Sequence, residues 1–165
     1  MRTFAALVGL ACTALLATGC QPETVCPAIA QAPVVALTVA REYTASVQTL
    51  RLKACQDGRC TEAELELFPG STTVDQGCEP GPHGKDRPCS ATASPDGTLT
   101  GMLMLDPLTE SPIEASVSGT DAGGLALPVR SLTFTPRVAY PYGRQCGRFI
   151  SAGVLLDADG LRQAA

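Results

Sequence analysis

The sequence has no tryptophan and only one histidine, His83, and the scarcity of these residues argues against several kinds of site. A structural zinc site usually needs cysteines in C-x2-C spacing or several histidines, and the chain has neither. A nucleophilic triad would need His83 beside a nucleophile and an acid, but no G-x-S-x-G or comparable motif is present. We therefore predict no metal, no other cofactor and no histidine-based catalysis.

Basic residues are also in the minority. The chain has 12 Lys and Arg residues against 16 Asp and Glu residues, so its formal net charge is −4. No segment forms the basic patch that a nucleic-acid-binding protein presents. We therefore predict no nucleic-acid partner.

Long apolar runs are absent as well. The longest, residues 4–16, has 13 residues, the length of a signal-peptide core and too short to span a bilayer as a helix. It ends in Leu16-Ala17-Thr18-Gly19-Cys20, which resembles the lipobox of bacterial lipoproteins with Ala17 where leucine is more usual. The resemblance implies cleavage before Cys20, a diacylglyceryl group on its thiol and a location on the outer face of the cell membrane. The alternative is an ordinary secretory signal cleaved near Ala17.

These signals predict a simple domain organisation. Residues 1–19 are the signal peptide, residues 20–32 hold the lipidated cysteine and a short tether, and residues 33–165 form one domain. That length suffices for a single hydrophobic core. The lipid would be the only membrane anchor.

Six cysteines remain after the signal peptide and Cys20 are set aside, and an even number in an exported chain predicts three disulfides. Two cysteines face each other in the hairpin described next, and two bracket a Pro/Gly-rich loop. The remaining two tie the first ordered segment to the last strand region. The predicted pairs are Cys55–Cys60, Cys78–Cys89 and Cys26–Cys146.

Residues 47–68 carry the clearest structural pattern. If Cys55 opposes Cys60 across the turn at 56–59, the same register opposes Lys53 to Glu62 and Leu52 to Ala63. One register thus satisfies disulfide reach, charge pairing and apolar burial. The further opposed pairs are Arg51 with Glu64, Leu50 with Leu65 and Thr49 with Glu66.

The remaining chain is typical of short strands separated by turns. Residues 112–119 alternate between apolar and polar side chains, and Gly- or Pro-containing turns flank most apolar segments. We predict an all-β antiparallel β-sandwich with an Ig-like Greek key, or alternatively a small closed β-barrel. The other predicted strands are residues 34–40, 98–105, 125–135 and 149–156, and residues 68–88 are predicted to be a loop.

The lipobox, the paired cysteines and the turn-punctuated strands together resemble the small actinobacterial lipoproteins that carry an Ig-like exported domain. The resemblance implies a location and a fold, and it transfers no catalytic residue. We expect a non-catalytic binding or interaction module of the cell envelope, with an envelope protein or polymer as partner. The alternatives are an exported hydrolase using carboxylate chemistry, such as glycan cleavage, and a purely structural envelope component.

The loop between Cys78 and Cys89 is the candidate binding element. A disulfide restricts the loop, Pro and Gly restrict it further, and it displays three basic residues on an otherwise acidic protein. These residues are His83, Lys85 and Arg87. The alternative is a stapled surface loop with no partner.

Three other patterns have simpler explanations. Met102 and Met104 suit Cu(I) chemically but are predicted to fill the core. Asp157-Ala158-Asp159-Gly160 begins like a calcium loop but lacks the later ligands, so it predicts a turn. The acidic row at Glu62, Glu64 and Glu66 is predicted to be a solvated strand face.

Overall fold

The computed structural model of the chain describes residues 25–78 and 89–164. This part contains ten β-strands and two short 3-10 helices, at Arg41–Ser46 and Arg144–Cys146. The strands are β1 (Val34–Val39), β2 (Thr49–Gln56), β3 (Arg59–Glu64), β4 (Phe68–Cys78), β5 (Cys89–Met104), β6 (Ile113–Thr120), β7 (Arg130–Phe134), β8 (Arg137–Ala139), β9 (Phe149–Leu156) and β10 (Leu161–Gln163).

The strands form two sheets. The first has the order β4-β5-β1-β9-β10, with β8 also paired to β9, and the second has the order β3-β2-β6-β7. The all-β prediction is confirmed, and the closed-barrel alternative is wrong because the strands form two separate sheets. The antiparallel prediction fails at one pair, since β1 and β9 run parallel. Parallel partners are joined by long connections, so no local turn signal marks such a pair in the sequence.

One hydrophobic core lies between the sheets. Alternate residues of β1 contribute Val35, Leu37 and Val39, each with no exposed surface. The second sheet supplies Leu50 and Leu52 from β2 and three residues of β6. Period-two alternation on half-buried strands accounts for this pattern. The alternation predicted for residues 112–119 is present in β6, where the apolar residues Ile113, Ala115 and Val117 are all buried.

The predicted hairpin is present in the predicted register. Cys55 pairs with Cys60, Leu52 with Ala63 and Arg51 with Glu64. The turn is Asp57-Gly58, with φ of 51° and 76°, the left-handed backbone that tight two-residue turns require. The ion pair forms diagonally, from Arg51 to Glu62 at 3.6 Å, instead of directly across the strands.

All three predicted disulfides occur in the structure. Cys55–Cys60 closes the hairpin, and Cys78–Cys89 joins the end of β4 to the start of β5. Cys26–Cys146 links residues 120 positions apart. It ties the segment before β1 to the segment before β9, and these two parallel strands begin at the same end of the domain. We call this end the tether end.

The largest error of the sequence analysis concerns residues 68–88, predicted to be a loop. Residues 68–78 form β4, and β5 begins at Cys89 and runs to Met104, through the sequence Pro95-Asp96-Gly97 that is typical of a turn. The two strands pair from Phe68↔Thr100 to Cys78↔Cys89. The segment was missed because it buries no face, so its residues show no apolar alternation.

A second error concerns Met102 and Met104. Both were predicted in the core, but their exposed fractions are 68% and 55%. The buried neighbours are Leu103 of β5 and Leu105, which directly follows the strand. The alternation of side chains along a strand therefore places both methionines on the outer face of the first sheet.

Candidate functional site

The β4–β5 pair extends beyond the sandwich as a two-stranded arm, which we define as residues 71–78 and 89–95. β5 pairs with β1 only from Leu99 to Met104. Leu99 opposes Val39 at the end of β1 that lies away from the tether end. The arm therefore starts at the end opposite the Cys26–Cys146 disulfide.

Nearly all of the arm is exposed. All residues of the arm are exposed except Ser94, which is half-buried. The side chains are small and mostly uncharged, with Thr72 opposite Ser94 and Val74 opposite Thr92. Such a ribbon adds little to the core, so stability alone does not explain its length.

A β-bulge fixes the base of the arm. Between the pairs Pro69↔Leu99 and Ser71↔Pro95, β5 contains extra residues, and the Asp96 carboxylate accepts hydrogen bonds from the Thr98 backbone N–H at 2.9 Å and from its hydroxyl at 2.7 Å. These bonds hold the pKa of Asp96 below its ordinary value. Gly97 has φ +81°, and a side chain there would collide with Arg41. Bulges of this kind redirect a strand at the edge of a sheet.

The tip of the arm is closed by Cys78–Cys89. His83, Lys85 and Arg87 belong to the ten-residue loop between these cysteines and lie outside the described residues, as does Cys20. Because the loop joins Cys78 to Cys89, chain connectivity places it at the end of the arm farthest from the sandwich.

A concave surface, separate from the arm, lies on the outer face of the second sheet. It is a shallow depression of about 440 Å³, and its charged residues are Lys53 and Glu114. Glycoside cleavage needs two carboxyl groups flanking the bond, and Glu114 is the sole carboxylate among the described residues that line this depression. The depression therefore lacks the acid pair that the hydrolase alternative requires.

Among the residues that the structure describes, three carboxyl groups have a lowered pKa, and each accepts hydrogen bonds at a turn or bulge. The pKa of Asp157 is lowered, chiefly by its hydrogen bond from Arg162 at 3.1 Å. The pKa of Asp57 is lowered by hydrogen bonds from Ser111 and Thr109. A general acid needs a raised pKa, so these shifts, like that of Asp96, favour turn stabilisation. The predicted turn at 157–160 is present, because the Asp157 carboxylate accepts the Asp159 and Gly160 N–H groups at 3.0 Å.

Gln56 is a buried residue whose role the sequence analysis missed. Its side chain is only 4% exposed. The amide donates to the backbone oxygens of Thr109 at 3.1 Å and Ser111 at 2.6 Å, and its oxygen accepts the Thr109 N–H at 3.0 Å. These hydrogen bonds hold the β5–β6 connection, which joins the two sheets, against the end of β2. The sequence signal was hidden because Gln56 adjoins the hairpin turn, where polar residues are ordinary.

Within residues 25–78 and 89–164, no group of three His, Cys, Asp or Glu side chains is arranged to hold a metal ion. The helices of the described part are too short to cross a membrane. The chain matches no protein-family model, no curated protein and no solved structure.

Proposed function

We propose that the protein is an exported, lipid-anchored and non-catalytic binding module of the cell envelope, and that the β4–β5 arm is its binding element. The observation that carries the proposal is the arm itself, which is disulfide-closed, exposed on both faces and based at the end opposite the tether end. Ordering such a ribbon costs conformational entropy without burial in return. A binding role accounts for an element that the core does not need.

The position of the arm suits presentation away from a membrane. Cys20 and Cys26 are six residues apart, so the tether holds the domain within roughly 20 Å of its lipid. Along β5, Cys89 and Leu99 are separated by ten residues, which corresponds to about 30 Å at the rise of an extended strand. The arm therefore extends the reach of a closely tethered domain.

The side chains of the loop suggest polar contacts with the partner. The loop contains the basic residues His83, Lys85 and Arg87 together with Glu79 and Asp86, so its formal net charge is zero when His83 is neutral. Such a mixed set of donors and acceptors suits a polar partner, either an envelope polymer or an envelope protein.

The finer fold is also a proposal: the two sheets form an Ig-like Greek key. Its support is that the chain crosses repeatedly between the sheets and that β1 and β9 adjoin in one of them. Nuclear Overhauser contacts between Val35 and Ala152, which are register partners, would test this topology. Their absence in the folded domain would contradict it.

The anchor is tested by Cys20→Ser. The unchanged protein should incorporate a fatty-acid probe and enter the detergent phase, because two acyl chains give stable membrane binding. Cys20→Ser should abolish the labelling and release or stall the chain. A Cys20→Ser protein that stays labelled and membrane-bound would overturn the lipoprotein assignment.

The arm is tested by replacing residues 72–94 with Asn-Gly, which joins the register partners Ser71 and Pro95 through a hairpin turn. Because the removed residues lie outside the core, the sandwich should keep a cooperative unfolding transition. The shortened chain should lose its retention on delipidated envelope fragments in a sedimentation assay. Cys20→Ser chains beginning at residue 20 are used, so that lipid cannot retain them.

A finer variant separates the loop from the rest of the arm. Replacing His83, Lys85 and Arg87 together by Ala should reduce retention on the same fragments. The matched control replaces Arg51, Arg59 and Arg130 by Ala and should leave retention near its original level. Full retention of the arm-shortened chain would show that binding occurs elsewhere.

A further inference from the structure

One segment of the chain departs from its acidic character. Residues 122–156 contain four arginines and no Asp or Glu. Two of the four, Arg144 and Arg148, lie in the connection that leads from β8 to β9, and Arg137 is the first residue of β8. The strands β8 and β9 pair with each other on either side of this connection, from Arg137↔Ser151 to Ala139↔Phe149. This basic segment is therefore held in one place on the domain.

Aromatic side chains accompany these arginines. Tyr140 and Tyr142 have exposed fractions of 39% and 42%. The Arg144 guanidinium lies 4.9 Å from the centre of the Tyr140 ring. Tyr142 packs edge-on against Phe149, with ring centres 6.0 Å apart. Two tyrosines are thus fixed with part of each ring in solvent.

The same segment adjoins the chain that leads to Cys20. The Cys26–Cys146 disulfide joins them covalently, and Gln31 exchanges two hydrogen bonds with the backbone of Ile150, one of them 2.9 Å long. The predicted tether also carries exposed apolar residues, with Val25 at 90% and Ile29 at 53% exposed. The arginines and tyrosines of the β8–β9 region therefore lie at the tether end of the domain.

The charges of this surface are not fully neutralised within the domain. Arg148 pairs with Glu110 at 2.7 Å. Arg137 and Arg144 form no ion pair with another residue of the described ranges. Asp106 and Glu110 belong to the neighbouring connection between β5 and β6. An acidic connection therefore borders the basic segment on the Arg148 side.

We propose that Tyr140, Tyr142, Arg137 and Arg144, together called the Tyr/Arg face, lie against the anionic headgroups of the membrane that holds the anchor. Tyrosine favours the membrane–water interface because its ring is apolar and its hydroxyl is polar. Arginine keeps its charge at the phosphates while its stem covers apolar surface. This inference rests on the proposed lipid anchor, which places a membrane within reach of Cys26. It gives the domain a fixed orientation, with the arm base directed away from the bilayer.

The test uses the Cys20→Ser chain from residue 20, so that binding does not depend on lipidation. The chain should co-sediment with vesicles containing phosphatidylglycerol, and much less with pure phosphatidylcholine vesicles or at high salt. Arg137→Ser with Arg144→Ser should lower the partition coefficient on the order of tenfold, since each basic residue near an anionic surface contributes to binding. The matched control, Arg51→Ser with Arg130→Ser, removes the same charge elsewhere and should have little effect.

Contact depth is measured with a single tryptophan, because the sequence contains none. Tyr142→Trp should be quenched by brominated phospholipids, whereas Leu125→Trp, at an exposed position in the β6–β7 connection, should not. Equal binding to both vesicle types, an equal loss in both arginine variants, or equal quenching at the two positions would overturn the proposal. Self-association through this face without vesicle binding would also overturn it and assign the face to a second copy. None of these results bears on Cys20, so failure here is distinct from failure of the anchor.

Discussion

Replacing Cys26 and Cys146 together by serine is expected to lower the free energy of unfolding by about 4–5 kcal/mol. In the chain-entropy model, the stabilisation by a disulfide grows with the length of the loop that it closes and reaches roughly 4.7 kcal/mol for 100 residues. This bond joins residues 120 positions apart. It also fixes the segments that precede the parallel strands β1 and β9, where no short connection holds the two strands together.

Chemical denaturation of the oxidised double variant measures the loss, with the unchanged chain as reference. The matched control is Cys55→Ser with Cys60→Ser, whose bond has a sequence separation of only 5 and should contribute roughly 2 kcal/mol in the same model. An equal or larger loss from the hairpin pair would contradict the dominance of the long-range bond. In the Cys26/Cys146 variant, the backbone amides of the Tyr/Arg face should also exchange hydrogen with solvent faster than in the unchanged chain.

Gln56→Ala is expected to lower the free energy of unfolding by about 3 kcal/mol. The buried amide satisfies two backbone oxygens and one N–H of the connection between the sheets. Losing a partner leaves a buried polar group unsatisfied, at roughly 1–3 kcal/mol for each group that water cannot reach. Thr109 and Ser111 are only half-buried, so water should restore part of the loss.

Two further variants identify the cause of the Gln56 effect. Gln56→Met nearly preserves side-chain volume but removes the amide, so it should remain destabilising by a similar amount. Gln48→Ala removes an exposed glutamine side chain and should be nearly neutral. If Gln56→Met has the stability of the unchanged chain, the hydrogen bonds to the connection are unimportant and cavity formation explains the alanine variant.

The sequence predicted the parts of the fold that bury one face. The hairpin was predictable to the residue because Cys55, Lys53 and Leu52 constrain the same register in three independent ways. The buried positions of β6 followed from alternation, and β9 was predicted with its correct bounds. In each case a local pattern reflects burial against the core.

The arm, the exposed methionines and Gln56 were not predictable by the same reasoning. Residues 71–78 have no buried face, so their sequence lacks the alternation that marks a strand. Met102 and Met104 are apolar, so their residue type alone predicts burial, but they lie on the outer face of the first sheet. Gln56 depends on Thr109, a contact between distant parts of the chain that no local pattern records.

The most direct test of the binding proposal is site-specific photo-crosslinking in intact cells. A photoreactive residue is placed at Thr73 on the arm or at Thr133, which lines the depression on the second sheet, and both positions are exposed. The account predicts a discrete higher-mass adduct from Thr73, its loss when His83, Lys85 and Arg87 are replaced by Ala, and no adduct from Thr133. An adduct from Thr133 with none from Thr73 would contradict the assignment of the arm as the binding element.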